Sequence, residues 1–558
     1  MTDATQRDIA PHATRRHRAG GSRLLAVLAY LVAAVCILPM LAVLIASMSG
    51  GTDTVAHLMD TVLPRYAFNT LALVLLVALG ALAVGVGTAW LVTMTRFPGQ
   101  RFFEVALVLP LAFPAYVLAY AYTHVLDHPG VVQTSLRAMM GWGPRDYWFP
   151  EIRSLGGAAT MLVLVLYPYV YLLARAAFLQ QSASAFLAAR ALGKTAWQAF
   201  FRVSLPMARP AIAGGVLLAV METIADFGTV AYFGVQTLAT GIYTSWFSLA
   251  DRAAAAQLAL CLLAFALLLA ILERYQRGNA QYHDTSKRQH GMPPAELSGW
   301  RAALATLFCA LPVILGALLP MAILLEMALG SEQNLLSRRY IGFIQNSLTL
   351  ASAAAIVTVC AAVSVGFYQR LRPGKPSAAA GYAARLGYAV PGGVIAVGLI
   401  VPFAAFDNAL DAWMRARFDY STGLLITGSI WLLVGAYMVR FLAAALGAYE
   451  GGQSTVHANM DAAARSLGQT PLGTLRRVHL PILTPSLLTA LLIVFVDVMK
   501  ELPATLIMRP FNYDTLAVQA YRLASDERLE GAAVPSLVIV AVGLLPVILI
   551  CRQVGRHR

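Results

Sequence analysis

The chain has 558 residues, of which 59% are hydrophobic and only 12% are charged. Soluble globular domains carry about 25% charged residues, so this composition excludes an ordinary soluble protein and predicts a chain that crosses a membrane many times. The net charge of +14 would suit a nucleic-acid-binding protein. The basic residues lie in short segments between apolar runs, however, so no nucleic-acid partner is expected. The five cysteines form no CxxC pair, and the sequence therefore indicates neither a disulfide framework nor a zinc site.

Long apolar runs predict the membrane spans. A span needs about 20 residues, and because backbone groups in lipid must bond within their own segment, the spans are expected to be helices. The first run is too long for the apolar part of a cleaved signal peptide, so it is predicted to be retained. The twelve predicted spans have approximate limits of 24–48, 68–95, 103–124, 157–179, 208–232, 254–273, 303–328, 347–369, 382–404, 422–447, 483–508 and 533–551.

The lysines and arginines predict the orientation of these spans. With the amino terminus inside, the inner segments hold 28 of the 41 basic residues, the outer segments hold 12, and Lys500 lies within a span. Because cytoplasmic loops carry an excess of basic residues, both termini are predicted to be cytoplasmic, including the basic segment 1–23. The expected location is the bacterial inner membrane, where the lipid bilayer surrounds a multi-pass protein.

The two halves of the chain form a tandem repeat. The segment LAARALGKTAWQAFFRVSLPMARP at 187–210 returns as AAARSLGQTPLGTLRRVHLPILTP at 462–485, an offset of 275 residues. Six spans per half give both copies the same orientation, so the predicted fold is an all-α polytopic membrane protein with two parallel six-span repeats around a pseudo-twofold axis. The predicted domains are 24–273 and 301–558, joined by a cytoplasmic linker at 274–300.

Each copy of this segment, called here the duplicated loop, predicts a helix, a turn and a second helix on the cytoplasmic side. Alanine-rich sequence favours the first helix, Gly193 and Gly468 permit the turn, and Pro206 and Pro481 are predicted to lie in the first turn of the next span. Two such loops predict a partner with two equivalent binding sites. The shared residues are Ala188, Ala189, Arg190, Gly193, Leu205 and Pro206 in the first copy, and Ala463, Ala464, Arg465, Gly468, Leu480 and Pro481 in the second.

The duplicated loop resembles the EAA loop of ABC transporter permeases, E-A-A-x3-G-x9-I-x-L-P. Leu187 and Ala462 stand where that family has glutamate, and Asp461 lies one residue earlier and could take its place in the second copy. The resemblance implies two type I permease-like domains in which each loop couples to one of two copies of an ABC ATPase subunit. Gly193-Lys194-Thr195 looks like the end of a phosphate-binding loop, but Ala188 occupies the position of the upstream glycine. No cofactor is therefore expected on this chain, and the partner subunit would use the ATP.

The span after each loop carries two carboxylates four residues apart, Glu222 with Asp226 and Asp497 with Glu501, again at an offset of 275. That spacing places each pair on one helix face. Ionisable groups are costly inside a membrane and usually face a cavity, so these four residues are the candidates for lining the pathway or contacting substrate.

Other interpretations of these spans stay open. The carboxylates could pack helices, Glu501 could pair with Lys500, or the spans could break near Gly228 and Pro503. The third span also carries tyrosines that could offer phenolic oxygens, although an aromatic belt at the membrane surface is the stronger prediction. These are Tyr116, Tyr120 and Tyr122.

Three stretches are similar to ferric iron permeases of bacterial ABC importers. They are LPLAFPAYVLAYAYTHV at 109–125, DFGTVAYFGV at 226–235 and KELPATLIMRPFNYDTLAVQAY at 500–521. The resemblance implies a permease that receives ferric iron from a periplasmic substrate-binding protein, and carboxylate oxygens suit a hard cation. Thiamine and aminoethylphosphonate permeases are similar and stay as alternatives. A proton-coupled secondary transporter would leave the duplicated loop unexplained, and a membrane enzyme would need a catalytic cluster for which the sequence gives no convincing candidate.

Overall fold

A computed structural model of the chain describes residues 14–49, 51–181, 188–189, 191–277, 295–331, 333 and 337–556. In these ranges the protein is built almost entirely from helices. The one sheet found there has two short strands, β1 (Thr95–Arg96) and β2 (Ala295–Glu296), which pair in parallel. Most of the predicted linker, residues 278–294, lies outside the described residues.

The helices of the first repeat follow the predicted spans, but several are longer, bent or interrupted. They are α1 (Thr14–Met48), α2 (Gly51–Thr61), α3 (Leu63–Met94), α4 (Gln100–Ala106), a 3-10 turn (Leu109–Ala112), α5 (Ala115–Leu126), α6 (Val131–Met140), α7 (Leu155–Gln180), α8 (Ala196–Ala199), a π-helical turn (Phe200–Ser204), α9 (Leu205–Ala225), α10 (Gly228–Tyr232), α11 (Leu238–Tyr243), a further π-helical turn (Thr244–Ser248) and α12 (Arg252–Arg277).

In the part that the structure describes, the second repeat has no separate helices corresponding to α2 and α6, and its elements follow a similar order. They are α13 (Gly299–Val313), a π-helical turn (Ile314–Leu318), α14 (Leu319–Gly330), α15 (Arg338–Leu371), α16 (Lys375–Leu386), a 3-10 turn (Gly387–Ala389), α17 (Gly392–Phe418), α18 (Ile430–Gln453), α19 (Ala458–Ser466), α20 (Pro471–Thr474), a π-helical turn (Leu475–His479), α21 (Leu480–Met499), α22 (Pro503–Met508), α23 (Leu516–Ser525) and α24 (Leu529–Arg556).

The number of spans agrees with the prediction of twelve. Within the described part of the chain, 11 helices are long and apolar enough to cross a membrane. A twelfth span is obtained if the segments Gln100–Ala112 and Ala115–Met140, which meet at an angle of 91°, count as one broken span. The break falls at Pro114, which precedes α5 and whose ring prevents the helix from continuing through it.

The same hydrogen bonds recur in both repeats. Asn69 Nδ2 on α3 donates to Gln236 O at 2.8 Å, and Asn346 Nδ2 on α15 donates to Asp514 O at 3.1 Å. The hydroxyl of the next residue, Thr70, accepts the first N–H of α11 at 3.0 Å, and that of Ser347 accepts the first N–H of α23 at 2.8 Å. Shared polar contacts at matching positions confirm that the chain is an internal duplication.

Two compact units can be separated by their internal packing. One comprises the described residues of Met1–Pro39, Leu350–Tyr388 and Val434–Val498. Its helices pack closely through small residues, as Ala33, Ala380 and Ala383 form one buried cluster.

The other unit comprises the described residues of Met40–Thr349, Ala389–Leu433 and Met499–Arg558. Its core contains fully buried tyrosines on α7, where Tyr167 donates to Leu107 O at 2.8 Å and Tyr171 to Glu104 O at 2.9 Å. These bonds hold α7 against the end of α4, because a buried hydroxyl must find an acceptor.

Candidate functional site

Both copies of the duplicated loop turn at a glycine in the left-handed conformation. The φ angles of Gly193 and Gly468 are 80° and 77°. A backbone bond then closes each helix end in the Schellman arrangement, which requires a residue that tolerates positive φ. The predicted turns are therefore present in the structure. The closing bonds are Lys194 N–H to Ala189 O (3.1 Å) and Gln469 N–H to Ala464 O (3.0 Å).

A threonine begins the helix that follows each turn. Thr195 Oγ1 accepts the N–H of Gln198 at 3.2 Å, and Thr470 Oγ1 accepts that of Gly473 at 3.1 Å. This is helix capping. It accounts for the threonine of the Gly193-Lys194-Thr195 stretch without any role in phosphate binding. These caps were not predicted from the sequence, although the recurrence of threonine at an offset of 275 is a signal for them.

The tip of each loop exposes a leucine. Leu192 is 80% exposed and Leu467 is 78% exposed, and a Cβ placed on Gly193 or Gly468 would meet no atom within 4 Å. One exposed leucine is ordinary, but the same exposure at the same position of both repeats favours a surface that docks onto another protein. Arg190 and Leu187 lie outside the described residues.

Pro206 and Pro481 lie in the first turn of α9 and α21, as predicted, although each span begins before them. The spans run from Phe200 to Ala225 and from Pro471 to Met499. A π-helical turn directly precedes each Leu-Pro pair: Leu205 N–H bonds to Phe200 O, and Leu480 N–H to Leu475 O. The wider turn makes room for a ring that would otherwise crowd the preceding carbonyl.

In the second copy, an ion pair and a histidine fix the loop to its own unit. Arg370 at the end of α15 donates from Nε to Asp461 Oδ2 at 2.8 Å, and its other nitrogens reach the carbonyl oxygens of Gln453 and Val456. His479 Nε2 lies 2.6 Å from Asp461 Oδ1, and its ring is fully buried. We call Arg370, Asp461 and His479 the Asp461 cluster.

The Asp461 cluster has no counterpart in the sequence of the first copy. Phe186 and Ser204 stand at the positions equivalent to Asp461 and His479. Partial burial alone would raise the pKa of Asp461, but the hydrogen bonds from His479 and Arg370 outweigh it and hold the pKa below its usual value. Asp461 is thus occupied within its own chain, which argues against its replacing the glutamate that Ala462 lacks.

Replacing Asp461 with asparagine should destabilise the protein near neutral pH by about 2 kcal/mol, the loss expected for hydrogen bonds to a charged group. Because the folded-state pKa lies below the unfolded value of about 3.9, the contribution is complete above that value and is lost as the pH falls through the folded-state pKa. Thermal unfolding at pH 7 should separate wild type from Asp461→Asn, and the two should converge in acid. The exposed Asp526→Asn is the control; an equal effect there would contradict the prediction.

The second carboxylate of each predicted pair lies beyond the end of its helix. α9 ends at Ala225 and α21 at Met499, so Asp226 and Glu501 fall in breaks of the spans. The prediction that each pair shares one helix face is therefore wrong, while the alternative of a break near Gly228 and Pro503 is confirmed. Glu222 and Asp497 remain within α9 and α21 and are half-buried.

Asp226 and Glu501 cap the short helices that follow the breaks. Asp226 accepts the N–H groups of Thr229 (3.1 Å) and Val230 (3.2 Å) and the Thr229 hydroxyl. Glu501, which is 5% exposed, accepts the N–H groups of Ala504 (2.9 Å) and Thr505 (3.2 Å) and the Thr505 hydroxyl. Each carboxylate thereby satisfies backbone donors that a break leaves without helical partners.

Tyr116 connects the two breaks. A Cβ on Gly228 would lie 2.8 Å from Tyr116 Cβ and 3.0 Å from Leu502 Cδ2, so only glycine allows this approach. The Tyr116 hydroxyl donates to Lys500 O at 3.4 Å, and the Tyr243 hydroxyl donates to Pro503 O. Residues of the first repeat thus bind the backbone of the second repeat at its break.

The tyrosines of α5 are buried in the protein, and the prediction of an aromatic belt is wrong for them. Tyr116, Tyr120 and Tyr122 are 4%, 0% and 6% exposed. Residues 115–123 of α5 are all buried. The spacing of tyrosines along one helix does not reveal whether lipid or protein surrounds that helix, so the sequence could not distinguish a lipid-facing belt from a core. Tyr122 donates to Leu315 O at 2.6 Å, which fixes it to the second repeat.

An arginine joins the repeats at the end of the bundle predicted to be outside. Arg153 donates from Nε to Asp127 Oδ2 at 2.9 Å, and from both terminal nitrogens to Glu527 at 2.8 and 2.9 Å. The hydrogen bonds to Glu527 raise the pKa of Arg153 although burial opposes this. Its guanidinium also lies 5.1 Å from the centre of the Tyr232 ring. We call Asp127, Arg153 and Glu527 the outer clamp.

A double-mutant cycle on Arg153→Ala and Glu527→Ala should give a coupling energy of about 1–2 kcal/mol in unfolding, because the pair is bidentate and partly shielded. The control pair, Arg96 and Glu296, is 3.9 Å apart with side chains 64% and 82% exposed, and should couple by less than about 0.5 kcal/mol. Thermal unfolding of the four proteins of each cycle measures both energies. Equal coupling in the two cycles would contradict a specific role for the clamp.

Comparison with known proteins gives matches over both repeats. The family described as binding-protein-dependent transport system inner membrane component matches residues 81–278 and 377–557. The chain is 26% identical to the Fe(3+)-transport system permease protein FbpB 2 of Haemophilus influenzae, over 92% of this chain and 95% of that protein. It is 24% identical to the ferric transport system permease protein FbpB of Actinobacillus pleuropneumoniae, over 84% of this chain and 68% of that one. A third relative, the putative 2-aminoethylphosphonate transport system permease protein PhnV of Salmonella typhimurium, is 31% identical over 22% of this chain and 46% of its own.

Proposed function

Because the chain belongs to the family of binding-protein-dependent transport system inner membrane components, we propose that it is the permease of an ABC importer for ferric iron. It is a multi-pass inner membrane protein, with 11 span-capable helices in its described part. The iron proposal is supported by the two relatives named for ferric transport, which align with most of the chain. Both termini are proposed to lie in the cytoplasm.

The observation that carries the coupling proposal is the duplicated loop. Each copy ends a helix at a glycine with positive φ and exposes a leucine, 80% in one case and 78% in the other. Two equivalent apolar tips suit a partner that offers two equivalent apolar grooves. Each loop is therefore proposed to dock onto one of two ABC ATPase subunits. ATP would bind to those subunits, and no cofactor is proposed for this chain.

The outer clamp and the broken spans give the proposed order of events. A periplasmic substrate-binding protein loaded with iron docks on the outer face, and ATP-driven closure of the ATPase subunits moves both loops. The outer clamp then has to separate, because Arg153 and Glu527 come from different repeats. Asp226 and Glu501 would line the route, with Glu222 and Asp497 one helical turn before them.

Two alternatives have supporting observations. A phosphonate cargo is favoured by the 31% identity to the aminoethylphosphonate permease, which covers only 22% of the chain; thiamine stays with it as an alternative from the sequence. A proton-coupled secondary transporter would use the four carboxylates without an ATPase, and this leaves the duplicated loop without a role.

The decisive experiment is purification with the products of neighbouring genes, followed by uptake assays in proteoliposomes with iron, thiamine and aminoethylphosphonate. We expect an ATPase to co-purify, and uptake of iron alone to require both ATP and the binding protein. Uptake that survives ATP depletion, with no ATPase bound, would favour the secondary transporter. ATP-dependent uptake of thiamine or the phosphonate, without iron, would replace the proposed cargo and keep the proposed class.

Valine in place of both Gly193 and Gly468 should abolish ATP-dependent uptake. A β-branched residue is strongly disfavoured at positive φ, so both helix ends would change direction and present their leucines wrongly. Membrane insertion should persist, because the change lies outside the spans. The assays are ATPase binding and uptake, normalised to inserted protein.

Gly141→Val is the matched control for this pair. Gly141 also ends a helix, has a φ of 68° and has no atom within 4 Å of an added Cβ, but it follows α6 at the predicted outer end. It imposes similar backbone strain without touching the duplicated loop. Normal uptake in the double variant, or an equal loss in the control, would remove the coupling role.

A further inference from the structure

Two kinds of buried tyrosine occur in the unit that holds the broken spans. Tyr167 and Tyr171 are fully buried, and each donates its hydroxyl to a backbone carbonyl. Tyr120 is equally buried, but its hydroxyl has no hydrogen-bond partner among the described residues.

Such a hydroxyl is unfavourable in the conformation observed. A polar group that is buried without a partner loses its hydrogen bonds to water and gains none in return. A phenylalanine would place the same ring in the same space without that cost, so packing accounts for the ring of Tyr120 but not for its oxygen. The oxygen therefore needs a partner that this conformation does not provide.

The surroundings of Tyr120 are rich in oxygen atoms. Its ring centre lies 5.7 Å from that of Tyr116 and 4.8 Å from that of Tyr232. Asp226 lies two residues before Gly228, and Glu501 lies between Lys500 and Leu502; Gly228, Lys500 and Leu502 are the residues beside Tyr116. Phenols from two elements and both capping carboxylates thus form one group, called here the phenol cluster: Tyr116, Tyr120, Tyr232, Asp226 and Glu501.

The phenol cluster lies between the outer clamp and the two breaks. On one side, Arg153 of the clamp lies over the ring of Tyr232. On the other, Tyr116 packs against Gly228 and Leu502 and reaches the carbonyl of Lys500. Separation of the clamp would therefore uncover Tyr232 first, and movement of the breaks would release Tyr116.

We propose that the phenol cluster is a transient oxygen-ligand site for a hard trivalent cation crossing the membrane. The proposal rests on the proposed function and adds the residues that recognise the cargo. Phenol and carboxylate oxygens are hard donors suited to hard cations. Metal ligands bind in their deprotonated form, so each bond from a ferric ion to a tyrosine oxygen forms as that hydroxyl releases one proton. The 3.4 Å bond from Tyr116 to Lys500 O is long for its type and is easily given up.

The test compares Tyr120→Phe with Tyr167→Phe in the complete transporter, reconstituted with its ATPase and binding protein. Iron uptake should fall at least about tenfold in Tyr120→Phe, a change of about 1.4 kcal/mol in the barrier, while ATPase stimulation by iron-loaded binding protein persists. The melting temperature of Tyr120→Phe should equal or exceed that of wild type, because an unpaired buried hydroxyl is removed. Tyr167→Phe should melt at a lower temperature and keep its uptake per folded molecule.

A second measurement detects the cation directly. Ferric nitrilotriacetate added to the solubilised complex should produce a phenolate-to-iron charge-transfer absorption in wild type and Tyr167→Phe, with a marked loss in Tyr120→Phe and Tyr232→Phe. Normal uptake and unchanged absorption in Tyr120→Phe would overturn the site and leave the proposed function intact. A lowered melting temperature in Tyr120→Phe, with normal uptake per folded molecule, would make that residue structural. An absence of iron uptake in wild type would overturn both.

Discussion

A helix that ends inside a membrane must have its freed backbone groups satisfied by protein, because lipid offers no hydrogen bonds. In this chain, carboxylates meet that requirement. Asp226 and Glu501 each take up two backbone N–H groups and one hydroxyl where a span breaks. The breaks bring α10 and α22 to Tyr116, and the approach of Tyr116 to the second repeat depends on them. Asp226 and Glu501, which appear in the sequence as charged residues within apolar runs, thus make it possible for these spans to be interrupted.

The sequence predicted the large features because they depend on composition and repetition. Span number follows from apolar length, and the duplication follows from the repeated loop at an offset of 275 residues. The hydrogen bonds of Asn69 and Asn346, which are 277 residues apart, support the same duplication. Contacts between distant segments could not be predicted from the sequence. Arg153 pairs with Glu527 across 374 positions, and no counterpart of the pair recurs at the repeat offset to draw attention to it. The burial of Tyr120 depends on which helices surround α5, and periodicity along one helix carries no information on that.

The two copies of the duplicated loop share their backbone turns but differ in sequence at the positions of the Asp461 cluster. Gly193 and Gly468 end their helices with the same bonds, and Thr195 and Thr470 begin the next ones. Only the second copy has the side chains of the Asp461 cluster, since Phe186 replaces the aspartate in the first. The second copy is therefore attached to its own unit by an ionic contact that the sequence of the first copy does not provide.

The π-helical turns before Pro206 and Pro481 have a geometric consequence. A turn that holds one extra residue shifts everything before it by one position, or about 100° around the helix axis. The short helix before each Leu-Pro pair therefore enters its span with this shift. Because both repeats contain the turn at the same place, an insertion or deletion of one residue in only one copy would remove a feature that the two repeats share.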